Sequence, residues 1–118
     1  MGYSQQKIMA ASNNFLDKLK AKWKDKKFVC VGLDTAESSL IESVIDQTFD
    51  LVCAYKPNSA FYEAKGMKGL ETLKKIIDYI HQKDPHMTVI LDAKRGDIDH
   101  TNEEYARAAF DDLEADAV

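Results

Sequence analysis

Short apolar runs that each end at a charged residue constrain the fold of this chain more than any other sequence feature. The runs occupy residues 28–33, 51–55 and 88–91, and Asp34, Lys56 and Asp92 follow them. Short, continuously apolar segments are typical of strands covered on both faces, as in a parallel sheet. The sequence therefore predicts a buried parallel sheet in which a charged residue follows the end of each strand.

Amphipathic segments separate these runs and predict helices. The clearest stripe has aliphatic residues at three- and four-residue steps: Leu70, Leu73, Ile76, Ile77 and Ile80. It ends near Asp84, because the following proline disfavours helix in the residue before it. Weaker stripes predict a first helix that starts after Ser4 or Ser12, a second that is capped by Ser38 or Ser39, and a last one from about Asn102 to Leu113.

The predicted order is a helix, then strand and helix repeated three times, then a strand that begins within residues 115–118. Such alternation indicates a parallel sheet wrapped by helices, either a barrel or a doubly wound fold. No GxGxxG or GxxxxGK[ST] loop follows a predicted strand, which counts against the nucleotide-binding doubly wound folds.

Composition excludes several classes of protein. The net charge of -4 counts against a nucleic-acid surface, and no apolar run approaches the roughly 20 residues of a membrane span. The lysines between residues 18 and 27 are expected on the solvated face of the first helix. Cys30 and Cys53 lie in apolar runs and are expected to be buried thiols in a reducing compartment. No spacing of His81, His86 and His100 suggests a metal site.

Alternation along the strands places the charged residues on one face. Cys30, Gly32 and Asp34 share a face, as do Ala54 with Lys56 in the second run and Ile90 with Asp92 and Lys94 in the third. In a closed barrel these residues point inward and the charges lie at the carboxyl ends of the strands, where such barrels build active sites. We therefore expect Asp34, Lys56, Asp92 and Lys94 to converge in one pocket, with Asp97 just beyond it. An ion-pair network that only stabilises the barrel is the alternative.

Residues 92–101, DAKRGDIDHT, are similar to the DxKxxDI-x-x-T signature of the orotidine 5'-monophosphate decarboxylase family. CVGLD at 30–34 resembles the first strand of that family, and YKPNSAFYE at 55–63 resembles the second. The chain departs from the family at Asp99, where glycine is usual. Aspartate is common in loops and can cap the helix that follows.

The resemblance implies a TIM (β/α)8 barrel, of which residues 1–118 are the amino-terminal portion with about three to four βα units. The carboxyl-terminal half, with its phosphate-binding loops, is then missing. A chain of this kind is expected to be inactive alone and to associate through its unpaired sheet edges.

The resemblance also implies residue roles. Lys94 is the proton donor to C6 of the pyrimidine, Asp92 lies against the substrate carboxylate, and Lys56 and Asp97 complete the charged array. Asp34 and Lys56 hold the ribose hydroxyls of orotidine 5'-monophosphate, and the product is UMP. The residues at Asp97, Ile98 and Thr101 reach the site of the neighbouring subunit, which implies a homodimer. No metal or organic cofactor is expected, and the location is cytoplasmic.

Other interpretations stay open at this point. Sugar-phosphate decarboxylases and synthases of the same superfamily also carry DxKxxD but use magnesium, whereas the Lys56-Pro57-Asn58 segment favours the nucleotide enzyme. A non-catalytic chain is the third alternative, since Arg95-Gly96-Asp97 is an RGD tripeptide of the kind that adhesion receptors bind. His100 lies near the site and either touches substrate or the partner subunit, or is a solvated loop histidine.

Overall fold

The computed structural model describes residues 14–118, and its centre is a parallel sheet. The strands are β1 (Cys30–Leu33), β2 (Ala54–Pro57) and β3 (Thr88–Val89), in the spatial order β1-β2-β3. A parallel bridge between Ile90 and Ala117 begins a fourth strand beside β3. The predicted alternation of strands and helices is confirmed.

Helices connect the strands and cover one face of the sheet. They are α1 (Phe15–Lys24), α2 (Ser38–Thr48), α3 (Ser59–Glu63), α4 (Gly66–Lys83) and α5 (Asp99–Ala106), followed by a π-helical segment, Arg107–Asp112. The clearest predicted stripe is α4, which ends where Asp84 takes an extended conformation. The short α3 was not predicted, because a single turn and a half leaves no readable helical period.

Asn14 caps α1 through its side chain. Its amide oxygen accepts a hydrogen bond from the backbone N–H of Asp17 at 2.9 Å, which satisfies one of the free donors of the first turn. The predicted starts after Ser4 or Ser12 lie outside the described residues.

Two local predictions were wrong. The cap of α2 is Glu37, which makes no side-chain cap hydrogen bond, so neither Ser38 nor Ser39 has that role. Cys53 is buried as expected but Cys30 is exposed. Cys30 lies on the sheet face that the described helices leave open, which is why an apolar run did not bury it.

The sheet register confirms the predicted alternation of faces. Val31 pairs with Tyr55, and Tyr55 pairs with Val89. Tyr55 and Val89 are fully buried within one core cluster, together with aliphatic residues of α2 and α4. Gly32 pairs with Lys56 on the other face, and both are exposed. The helices therefore pack against one face, and the face predicted to line a barrel interior is open at its carboxyl end.

Two lysines of α1 are buried, which overturns the expectation that the whole lysine cluster is solvated. The Lys18 ammonium lies 2.6 Å from the Asp116 carboxylate, and the Lys22 ammonium pairs with Asp84. The aromatic Trp23 on the same helix is exposed. The side of α1 that faces the protein therefore carries two lysines that pair with residues distant in sequence.

Asp116 is the centre of the larger of these networks. Besides Lys18, its carboxylate contacts His81 Nε2 at 2.9 Å and accepts the backbone N–H of Val89 at 2.8 Å. Burial raises the pKa of Asp116, but the hydrogen bonds from His81, Lys18 and Val89 outweigh it and hold the pKa below its usual value. His81 is half-buried against this carboxylate.

Gly69 permits the contact between α3 and α4. A Cβ atom at this position would lie 1.7 Å from the Tyr62 carbonyl oxygen. Gly69→Ala is expected to lower the free energy of unfolding by about 2 kcal/mol, since the clash exceeds the ~1 kcal/mol that alanine gains in a helix. Urea denaturation measures it, with Gly96→Ala as the control because nothing lies within 4 Å of a Cβ there. Equal denaturation midpoints for both variants would contradict the prediction.

Candidate active site

Asp92 and Lys94 contact each other at the carboxyl edge of the sheet. The Lys94 Nζ atom donates to Asp92 Oδ1 at 2.6 Å. The backbone of Asp92 is fixed to the end of β2, because its N–H donates to the Pro57 carbonyl at 2.9 Å and its carbonyl accepts the Ser59 N–H at 3.1 Å. A parallel bridge to Asn58 extends this pairing beyond β3. The carboxylate that holds the Lys94 ammonium is therefore anchored by the sheet.

Lys94 departs from strand geometry in its backbone. Its φ of 53° lies in the left-handed region, which is unfavourable for residues other than glycine. The side chain is exposed whereas that of Asp92 is half-buried. Strand alternation therefore ends before Lys94, and a left-handed turn brings its ammonium back to Asp92.

Lys56 lines the same cavity as this pair. The cavity has a volume of about 430 Å³ and also includes Arg95 and Val118 in its wall. Lys56 also lies close to Cys30: partial desolvation raises the pKa of the Cys30 thiol, Cys53 raises it further, and the nearby Lys56 ammonium opposes that rise. The cavity thus combines two ammonium groups and one carboxylate on the open face of the sheet.

Asp34 lines a different cavity, of about 600 Å³, bounded by the α2 entry, Phe61 and the start of α4. Asp34 follows the last residue of β1, Leu33, whose carbonyl accepts a hydrogen bond from the Tyr62 hydroxyl at 3.1 Å. Burial raises the pKa of Tyr62, and the Asp34 carboxylate raises it further. Asp34 therefore lies at the predicted edge and lines this cavity, whereas Lys56, Asp92 and Lys94 line the other.

The predicted partner-facing residues lie in the exposed segment before α5 and in the first turn of that helix. Asn102 fixes this segment, because its side-chain oxygen accepts the Asp97 N–H at 2.7 Å and its amide donates to the Asp97 carbonyl. Ile98 is 76% exposed, and Thr101 is exposed one turn later. Asp97, Ile98 and Thr101 line neither the cavity that contains Lys56 nor the cavity that contains Asp34.

The structure explains why glycine suits position 99. Asp99 has a φ of 36° and is the first residue of α5, not its cap. Asp99→Gly is therefore expected to change the free energy of unfolding by less than about 0.5 kcal/mol, whereas Asp99→Val lowers it by about 1–2 kcal/mol because β-branched residues avoid this region. Chemical denaturation of both variants measures the difference. If glycine is as harmful as valine, the carboxylate matters and not the backbone.

His100 is 96% exposed at the start of α5, with Nδ1 4.0 Å from a carboxylate oxygen of Glu103. This placement favours the solvated interpretation of His100.

Among residues 14–118, no group of three or more His, Cys, Asp or Glu side chains is arranged to hold a metal ion. Within the same residues, no helix has the length and apolar character needed to cross a bilayer.

Sequence reasoning missed a cluster around Arg95. The Arg95 guanidinium pairs with Glu63 and donates to Ser59 Oγ at 3.2 Å, and it lies 6.0 Å from the ring centre of Tyr105. Ser59 and Glu63 begin and end α3, the helix that the sequence did not reveal. The only feature of the sequence that pointed to Ser59 and Glu63 was their position in the segment after Lys56.

Comparison with known proteins places this chain in a family. The sequence matches the Orotidine 5'-phosphate decarboxylase / HUMPS family over residues 27–118. It is 45% identical over 107 residues to the orotidine 5'-phosphate decarboxylase of Flavobacterium johnsoniae, covering 79% of this chain and 39% of that protein. With the corresponding protein of Dechloromonas aromatica it is 40% identical over 119 residues, covering 88% and 43%.

Solved structures agree with the sequence matches. A putative orotidine-monophosphate decarboxylase from Toxoplasma gondii superposes with a TM-score of 0.82 at 38% identity, over 88% of this chain and 39% of that one. The OMP decarboxylase of Leishmania donovani gives 0.80 at 38% identity, over 87% and 42%. The chain spans about two fifths of the length of these proteins. The prediction of a partial TIM barrel is confirmed, and the chain belongs to the orotidine 5'-phosphate decarboxylase / HUMPS family.

Proposed function

We propose that residues 1–118 are the amino-terminal portion of a TIM barrel that converts orotidine 5'-monophosphate to UMP and carbon dioxide. The observation that carries this proposal is the contact between Lys94 and Asp92, beside Lys56, at the carboxyl edge of parallel strands. Relatives at 40–45% identity that bear the name of this decarboxylase support it.

The proposed chemistry needs an ammonium next to the reacting carbon. The bond between C6 and the carboxylate breaks, its electron pair stays on C6, and carbon dioxide leaves. Lys94 stabilises the charge that develops at C6 and transfers a proton to it, which leaves a neutral amine that solvent reprotonates. Asp92 lies against the substrate carboxylate and, through its contact with Lys94, keeps the ammonium at the site before reaction.

The remaining roles follow the family resemblance. Lys56 and Asp97 complete the charged array, and Asp34 and Lys56 hold the ribose hydroxyls. The exposure of Ile98 supports a homodimer in which Asp97, Ile98 and Thr101 reach the neighbouring subunit, since an exposed aliphatic side chain on a fixed segment suits a subunit interface. We place the enzyme in the cytoplasm, as a biosynthetic enzyme of pyrimidine nucleotides.

Activity is proposed for the complete barrel and not for residues 1–118 alone. Three strands and one bridge of a fourth are formed in the described part of the chain, and the proposed active-site face of the sheet is open. A preorganised site needs the water-excluding walls that the rest of a barrel supplies.

Release of carbon dioxide from carboxyl-labelled orotidine 5'-monophosphate tests the proposal. We expect the full-length protein that contains this chain to turn over the nucleotide, with no loss of rate in EDTA, and residues 1–118 alone to show no turnover. Activity on 3-keto-gulonate 6-phosphate that EDTA abolishes would assign the magnesium-dependent reaction instead. Near-normal kcat/KM from residues 1–118, their mass confirmed, would contradict the requirement for a complete barrel.

A further inference from the structure

We propose that Arg95 is a positioning residue that holds the Lys94 ammonium at the site. The inference deepens the proposed decarboxylase function and rests on it for the role of Lys94. Arg95 itself has no part in the chemistry proposed above.

The contacts of Arg95 join two parts of the structure. One guanidinium nitrogen donates both to Ser59 Oγ at 3.2 Å and to the Ala93 carbonyl at 3.1 Å. The second terminal nitrogen, Nη2, donates to the Glu63 carboxylate. Ser59 is buried, so the guanidinium is attached to the fixed first turn of α3. A single side chain therefore ties the loop after β3 to the helix after β2.

These contacts act on Lys94 because they fix the residue next to it. Asp92, on one side, is held to β2 by backbone hydrogen bonds, and Arg95, on the other side, is held to α3. Lys94 between them keeps a φ of 53°, a conformation that persists only when its surroundings enforce it. Without the guanidinium, we expect the loop to relax toward an ordinary conformation and to carry the ammonium away from Asp92.

The pattern of contacts requires arginine rather than any cation. A guanidinium presents donors in a planar fork and satisfies a hydroxyl, a carbonyl and a carboxylate together, whereas an ammonium is a point charge on a flexible stem. Arg95→Lys therefore keeps the charge but removes the fork, and it separates positioning from electrostatics.

Steady-state kinetics of the full-length protein provide the first test. Arg95→Gln and Arg95→Lys are both expected to lower kcat at least about tenfold, because a reacting group that is displaced by a fraction of an ångström reacts more slowly. The KM of both variants is expected to stay within about threefold of the wild-type value. Added guanidinium ion is expected to restore part of the kcat of Arg95→Ala. Arg107→Gln is the control, since Arg107 pairs with Glu103 and Glu104 of its own helical region. Wild-type kcat in Arg95→Lys would overturn the inference.

A second measurement does not depend on turnover. Acetylation of Lys94, followed by peptide mass spectrometry, reports how well its ammonium is held, and we expect about a threefold faster rate in Arg95→Gln, the size of a modest ion pair. Glu63→Gln is expected to give part of this effect and to add little to Arg95→Gln in the double variant. An unchanged Lys94 rate with native thermal stability overturns the inference. An inactive wild type whose Lys94 rate still responds to Arg95 overturns only the proposed function.

Discussion

Replacement of Lys94 by alanine in the full-length protein is expected to lower kcat by about 10³-fold or more. The proposed mechanism gives this ammonium two roles, since it stabilises developing charge at C6 and delivers the proton. Removal of one preorganised electrostatic group, or of one general acid, typically costs about 10²–10³-fold, and the two losses coincide here. The free energy of unfolding is expected to change by less than about 1 kcal/mol, because the lysine is exposed and its ion pair with Asp92 lies at the surface.

Lys26→Ala is the matched control. Lys26 is also exposed and also left-handed, with a φ of 59°, but it lies between α1 and β1, at the opposite end of the strands from Lys94. Carbon dioxide release under saturating substrate measures both variants. A Lys94→Ala protein that retains more than a tenth of wild-type kcat would remove Lys94 from the proposed mechanism.

Replacement of Asp116 by alanine is expected to have the largest effect on stability, about 3 kcal/mol in the free energy of unfolding. The Lys18 and Asp116 side chains are only 9% and 13% exposed. Removal of one partner of a buried pair leaves an uncompensated charge, here the Lys18 ammonium. It also removes the carboxylate that His81 and the Val89 N–H contact. Glu114→Gln is the control: Glu114 pairs with Lys74 at the surface, where ion pairs contribute less than about 1 kcal/mol.

The pH dependence of unfolding follows from the same carboxylate. Because the folded-state pKa of Asp116 is depressed, its stabilisation is fully present above the unfolded value of about 4 and is lost as pH falls through the folded value. Wild type is therefore expected to lose stability below pH ~4 more steeply than Asp116→Asn. Urea denaturation of both proteins measures this. If their free energies of unfolding fall equally steeply with decreasing pH, Asp116 is not the responsible group.

The order of elements and the faces of the strands could be predicted because both depend on local periodicity. Tyr55 and Val89 face the helices, and Lys56 faces the opposite side, as alternation alone required. The contact of Asp92 with Lys94 also followed from their spacing, although the turn at Lys94 that makes it was not foreseen. Sequence patterns with a short period therefore predict to which side of a strand each side chain points.

Features that depend on residues far apart in sequence could not be predicted. Nothing near Lys18 or His81 in the sequence indicates that Asp116 will lie between them. For the same reason, Arg95 had no visible partner, since Glu63 becomes its neighbour only once α3 forms beside the loop. Asp34 was assigned to the correct edge, but alternation does not say into which of two cavities a residue beyond the strand end will turn.

The pair between Lys18 and Asp116 has a consequence for the order of events during translation. The two residues are 98 positions apart, so at about 5–20 residues per second the ribosome makes the second roughly 5–20 s after the first. Throughout that interval the nascent α1 has no Asp116 carboxylate to receive its ammonium. The helix α1, the first of those in residues 14–118, is therefore among the last to be locked in place.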